Sequence, residues 1–559
     1  MDPPTGSRAP APSRAQAVGA VVIAVATLLC WLAGATPASA SGVSVFTSAT
    51  TGVLTPSRGS GLQVALTAAG RSRGVVHRHR GALALGGRPA APSVASDALL
   101  AGPAAGLLAN FNGVSSRDSA LTNFGQEFEP PDQGLCAGNG FVLEMVNSAY
   151  TVYTPGGRLL TGPFNINGPF NLGLGEFTSD PRCYYDAADN TWFATILFIN
   201  REETAGAIEV AVNTSGDPTK LWTDYSLETT DTGGGAGPSH PGCPCFGDQP
   251  TLGIDSHNLY VTTDEFTLAG EQENGAQIYA ISKRDLVSLA RSVHFVHFDN
   301  LSLGGALAGT VQPALSSGSP TAEYFLSSLD PSLTFGERVG VWALTKAAVV
   351  SKGGIPTLSA TVLGSERYAV PPPPQQRSSP SPLEPGDDRM QQVQFTGGAA
   401  WGELATGLTP SGDSGERSGA AWFEVAPALA RGVIGPATHI AAQGYLAVSG
   451  EYLLYPALAL TPSGAGAMVM TLSGKKQHPS AAYATLAPGA SSFGPVTLAA
   501  AGKGAYSESG ERWGDYSWAV ADPAGSSVWL ATEYVPPKAS QTPDGLRNWG
   551  TRVLDVPTG

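Results

Sequence analysis

Ser179-Asp180-Pro181-Arg182-Cys183-Tyr184-Tyr185-Asp186-Ala187-Ala188-Asp189-Asn190-Thr191-Trp192-Phe193-Ala194-Thr195-Ile196-Leu197-Phe198 is the stretch that decides the fold. A polar residue opens a run of strand formers, a turn of Asp, Ala and Asn interrupts it, and an aromatic twelve positions on starts a second run. The same spacing joins Asp248 to Tyr260 and Gln312 to Tyr324. It slips slightly for Asp388 to Trp401 and Asp515 to Trp529. Tyr455 to Ala467 keeps the spacing and loses the aromatic, and Asp132 to Phe141 is a shortened copy. Seven copies of one hairpin specify a repeat architecture.

Neighbouring openers lie 48 to 76 residues apart, room for four short strands each. Further apolar runs fill the second halves, among them Ala207–Val212, Gln277–Ile281, Val339–Leu344 and Ala421–Val425. Four-stranded units repeated about an axis are propeller blades. The expected fold is therefore all-β, a seven-bladed β-propeller over 106–559; the alternative is six blades plus an appended sheet, because the first copy is short. Gly106–Phe111 is expected to pair into the final blade beside Asn548–Leu554 and so close the ring. Val370–Gly386, with four consecutive prolines, reads as a stiff loop between blades four and five. Gly 70 and Pro 44 make up about a fifth of the 559 residues, which favours turns over long helices.

Residues 1–40 read as a signal peptide. Arg8 and Arg14 precede an apolar run from Ala17 to Ala35, and Ala38-Ser39-Ala40 is a small-x-small cleavage pattern. An uncleaved anchor is the alternative; no later segment is long and apolar enough to span a bilayer. Residues 41–105, rich in Ala, Ser, Gly and Arg, read as a low-complexity, disordered spacer or propeptide. The chain is expected to be secreted, extracellular or associated with the cell wall, with no stable membrane insertion after cleavage, and monomeric.

Export makes the cysteines interpretable. Cys30 leaves with the leader, and Cys136, Cys183, Cys243 and Cys245 remain. Cys136 and Cys183 occupy like positions in neighbouring repeats and are the first choice for a bridge, which leaves Cys243 with Cys245. Metal binding through Cys243-Pro244-Cys245 needs further ligands that the sequence does not single out. The formal charge is −14 overall. The six arginines and one acid of 41–105 put about −20 on the rest of the exported chain. Such an acidic body is a poor partner for nucleic acid and suits cations or neutral polymers.

In a propeller the first strand of each blade lines the central channel, so its opening residue sits at one mouth. Asp132, Asp180, Asp248, Gln312, Asp388, Tyr455 and Asp515 are thus expected together, with Arg182, Arg389 and Arg512 within three residues of an acid and able to offset the repulsion. Such acids also cap turn amides, which is the purely structural alternative. A hard cation such as Ca²⁺, held by Asp132, Asp180, Asp248, Asp388 and Asp515, is a second expectation. Glycan recognition or cleavage is the third. Its catalytic candidates are Asp180, Asp248 and Asp515, with Glu265 and Glu533 as rivals, since crowding raises one carboxyl's pKa and hydrolysis needs one acid and one carboxylate. Its ligand contacts are Asp132, Arg182, Gln249, Gln312, Asp388, Arg389, Tyr455 and Arg512, with Trp513 and Tyr516 placed to stack on a sugar face. The leading expectation is an extracellular binding module for glycan or cell envelope; a glycan-active hydrolase or lyase and a cation-stabilised scaffold for protein partners are the alternatives.

Pro130-Pro131-Asp132-Gln133-Gly134-Leu135-Cys136, Ser179–Tyr184, Cys245-Phe246-Gly247-Asp248-Gln249-Pro250, Asp387-Asp388-Arg389-Met390-Gln391-Gln392 and Arg512-Trp513-Gly514-Asp515-Tyr516-Ser517 resemble segments of an uncharacterised group of exported bacterial β-propeller proteins. The resemblance spans about 106–559. It implies the fold and export, implies no activity, and marks these peptides, all at blade openings, as the place to look. It also suggests a second pairing, Cys183 with Cys243 or Cys245.

Overall fold

The computed structural model of the chain describes residues 42–57, 91–100, 106–233, 238–270, 272–329, 336–507, 512–543, 545 and 547–558. The leader and the basic stretch with Arg71, Arg73 and His77–Arg80 lie outside the described residues.

Seven four-stranded antiparallel units account for the chain. Their innermost strands, in order, are Gly134–Gly138, Phe177–Asp186, Cys245–Ile254, Gln312–Ser316, Met390–Thr396, Glu451–Leu460 and Trp518–Ala521. Each touches the next, and the last touches the first, so the units form one closed ring of seven blades. Where neighbouring inner strands pair directly, between blades three and four and between four and five, they pair in parallel. Blade seven is completed by the N-terminal strand Ala109–Ser115 on Gly550–Pro557, with Phe111 opposite Val553. The ring therefore closes with the segment that the sequence offered, and the six-blade alternative falls.

The repeated aromatics explain the spacing. Trp192 and Tyr260 are fully buried. Trp192 packs on Tyr185, 4.6 Å between centroids, and Tyr260 meets Phe325 of the next blade edge-on at 5.8 Å. Twelve residues is the path from the opener down the inner strand, through the turn, and back to a position facing the adjacent blade. Each such ring buries enough apolar area that its removal would cost roughly 3–5 kcal/mol.

Residues 41–105 differ from the expected spacer wherever they are described. Ser44–Phe46 adds to the outer strand of blade four, and Thr50–Leu54 to that of blade three. Ser93–Val94 pairs in parallel at the end of the second strand of blade five, and Leu99–Leu100 with the outer strand of blade six. Phe46 stacks on Trp342 at 5.3 Å, and Leu54 is buried. The reason is the edge: an outermost strand presents unpaired amides and carbonyls, and a passing extended segment satisfies them.

Both first-choice disulfides are present, Cys136–Cys183 between the inner strands of blades one and two, and Cys243–Cys245 before blade three. The pairing of Cys183 with Cys243 or Cys245 is thereby overturned. The proline-rich insert 370–386 is not a detached loop. Gln376 bonds both to and from the backbone of Tyr506, and Leu383 is buried. This fastens the insert over blades six and seven at the mouth.

Candidate site at the channel mouth

The inner strands of blades two, three, five and six each carry a one-residue bulge near their start. Three of the bulges hold an X-Pro pair: Asp180-Pro181, Gln249-Pro250 and Tyr455-Pro456. Proline has no amide to lose to the ladder, so a bulge tolerates it. Asp180, Gln249 and Tyr455 have φ of 58°, 49° and 48°. The bulge thus turns one side chain per blade out of the ladder at equivalent heights. By this register Gln249, not Asp248, is the counterpart of Asp180.

Asp132, Asp180, Asp248 and Asp515 share one electrostatic neighbourhood. Asn147, in a turn of blade one, ties two of them. Its Nδ2 donates to Asp132 Oδ2 at 2.7 Å, and its Oδ1 accepts from the Asp180 amide at 2.8 Å. Burial, then the charges of Asp515 and Asp180, pushes the Asp132 carboxyl well above the ordinary range. Asp180 is also raised, by burial and then by Asp248. Burial and mutual repulsion thus drive both carboxyls toward their protonated forms. Glu533 lies in the same field, raised well above its ordinary value chiefly by burial, and its Oε2 accepts from the Gly514 amide at 2.7 Å.

Above this floor sits a rim that solvent reaches. Arg512 pairs with Asp515 at 2.7 Å and with Glu384 of the insert at 3.4 Å; the three side chains are 20%, 11% and 26% exposed. Arg389 forks onto Asp387 at 2.6 and 2.7 Å and donates to Gln249. It also faces Asp264 Oδ2 at 3.8 Å. Thr310 holds Asp264 through its amide and hydroxyl, at 2.6 and 2.5 Å. Arg182 makes no ion pair among the described residues. Its guanidinium lies 3.8 Å over the Tyr516 ring and 4.9 Å over Trp518, bonded to the Pro181 carbonyl.

Several buried polar atoms here have no hydrogen-bond partner among the described residues: Arg182 Nε and Nη2, Gln133 Oε1, Tyr516 Oη and Glu533 Oε1. Buried polar groups are nearly always paired, so a group of orphans marks a place for water or a polar ligand. It offers both donors and acceptors, which is what a polyhydroxylated ring needs.

Five of the expected residues sit elsewhere or act otherwise. Glu265 follows Asp264 on the same strand, so the two point to opposite faces, and Glu265 leaves the mouth for His240. Trp513 is fully buried, edge-on to Tyr506 at 4.9 Å and bonded to Thr471, and presents no face to a sugar. Tyr516 is spent as a platform for Arg182 rather than for a ligand ring. Gln312 is buried in its strand opposite Leu326, and Thr310 takes its place at the mouth. Asp388 is fully buried, while its neighbour Asp387 faces Arg389. Asn147, Asp264, Glu384 and Asp387 were not picked from the sequence. Only Asp387, inside an Asp-Asp-Arg triplet, carried a visible signal. Of the carboxylates expected to hold a calcium ion, Asp515 lies against Arg512.

No family model matches the chain, and no curated protein matches it. Among solved structures, it is similar to the GH93 α-L-arabinofuranosidase of Fusarium graminearum in complex with arabinobiose (11% identity, TM-score 0.34, covering 80% of this chain and 98% of that one). It is similar also to the NanB sialidase of Streptococcus pneumoniae (8%, 0.36, 75% and 82%). A third is an exo-1,5-α-L-arabinanase from a bovine ruminal metagenomic library (10%, 0.30, 66% and 95%). At these scores the overlaps assign no residue and no activity; blade count and site geometry rest on this chain alone. No helix among the described residues is long and apolar enough to cross a membrane.

Proposed function

We propose that the mouth is a glycan-cleaving site of an exported propeller. The observation that carries the reading is the floor itself: Asp132 and Asp180, tied together by Asn147 in the field of Asp515, among orphaned donors and acceptors suited to hydroxyl groups. In this reading Asp132 donates its proton to the glycosidic oxygen. Asp515, on the solvent-reached rim, is the carboxylate that attacks or activates water. Arg512 and Arg389 keep the neighbouring acids ionised and orient the sugar, and Arg182 offers two buried N–H donors to it.

A reducing-end assay over a glycan panel tests this. The full chain should release sugar, and Asp132→Asn should lose turnover by at least about 100-fold while still binding. The alkaline limb of the rate profile belongs to Asp132: the proton needed for donation is lost as pH rises through its elevated pKa. Binding without turnover by the unmodified chain would return the site to a recognition module, and neither binding nor turnover would overturn the glycan reading.

A further inference from the structure

We infer that a second site, separate from the mouth, binds a zinc-class divalent cation between blades two and three, through His240 Nδ1 and carboxylate oxygens of Asp231 and Glu265. The loop that leads into blade three folds back on itself. Thr232 bridges Ser239, and the His240 amide donates to the Asp231 carbonyl at 2.9 Å, which sets the two side chains side by side. The Cys243–Cys245 disulfide and a bond from Asn274 Nδ2 to the Pro241 carbonyl at 3.0 Å pin the far end.

His240 Nδ1 lies 2.7 Å from Glu265 Oε2 and 3.5 Å from Asp231 Oδ2, and three ligand atoms of Asp231, His240 and Glu265 fall within 4.8 Å of one another. Donors around a tetrahedral ion with bonds of about 2.0–2.2 Å are roughly 3.3–3.6 Å apart, so the Asp231 spacing already fits and Glu265 needs to draw back by less than about 1 Å. All three residues are buried. The outer shell has the form such sites take. His240 Nε2 faces Asp299 Oδ2 at 3.3 Å and Asn300 Nδ2 at 3.4 Å; donation to the Asp299 carboxylate leaves Nδ1 for a metal. Gln277 reaches Glu265 and is itself held by His297 Nε2 at 2.7 Å.

Two further observations separate this cluster from a merely acidic patch. Asp231 Oδ2, 3% exposed as a residue, has no hydrogen-bond partner among the described residues and lies 3.5 Å from His240 Nδ1. Tyr279 Oη, buried and without a hydrogen-bond partner among the described residues, sits in the field of Asp231, Glu265 and Asp299. An imidazole with two carboxylates suits zinc, cobalt or nickel. Calcium and magnesium call for oxygen-only shells. Both sulfurs near Glu265 are tied in the disulfide and offer no thiolate.

The test is Co²⁺ titration of the chelator-stripped full chain, followed by its visible d–d absorption and then by Zn²⁺ displacement. The expected result is saturation at one equivalent per chain, with intense tetrahedral bands removed by Zn²⁺. Asp299→Asn should keep the bands and weaken affinity about 10–100-fold. His240→Ala and, independently, Glu265→Gln should abolish them. Absence of a stoichiometric band in the unmodified chain, or a band unchanged in either ligand variant, overturns the assignment; the glycan assay is unaffected by that outcome.

Discussion

At the scale of single residues, the fold raises the pKa of carboxyls that it buries. Glu144 in blade one is the cleanest case. It is fully buried, its Oε2 accepts from the Val114 amide at 2.8 Å, and burial pushes its carboxyl up to about 7. The folded state then holds a proton that the unfolded chain releases near pH 4.5. Stability therefore falls as pH rises between about 4.5 and 7 and is level above, by a few kcal/mol in all. Glu144→Gln should flatten that slope and stabilise the protein at pH 8, as read by denaturant melts at both ends of the window. Gly514 shows the opposite kind of constraint. Its φ is 74°, and an added Cβ would lie 2.2 Å from the Tyr455 ring, so Gly514→Ala should displace Tyr455 and loosen the Arg512–Asp515 corner. The sequence made the openers legible because they repeat. It placed Asp248 in register with Asp180 because both are acids, whereas the bulge aligns Gln249. Asp264 and Glu384 were hidden because they reach the mouth from a second strand and an insert, where no repeat marks them.

At the scale of elements, strands were legible wherever apolar runs recur, and illegible where only an edge makes them. Ser44–Phe46 and Thr50–Leu54 sit in a stretch with no sustained alternation; their strand character comes from blades four and three. Deleting 42–57 should expose those two edges together with Trp342, and light scattering on heating should show earlier aggregation. The Cys136–Cys183 bridge joins adjacent inner strands across 47 residues. In the chain-entropy view it contributes about 4 kcal/mol. Cys136→Ala with Cys183→Ala should lower the denaturation midpoint accordingly without altering the other disulfide, which mass mapping checks.

At the scale of the whole molecule, the ring turns a sequence repeat into a convergence. Because the inner strands share one direction, a residue that opens each blade arrives at one mouth, and acids far apart in sequence come within reach of one another's charge. That convergence is the basis of the glycan-cleaving proposal; the spacing pointed to Asp132, Asp180, Asp248 and Asp515, which share one field, but not to the burial of Gln312 and Asp388. Which carboxyl is raised most was not legible, since that depends on burial and on the charges around it. The most direct measurement is a carbon-13 titration of labelled aspartate carboxyls, with the Asp132 signal assigned by its loss in Asp132→Asn. The account predicts that this signal titrates well above the ordinary carboxylate range and moves down in Asp515→Asn and in Asp180→Asn. A signal that titrates in the ordinary range, or that neither substitution moves, would contradict it.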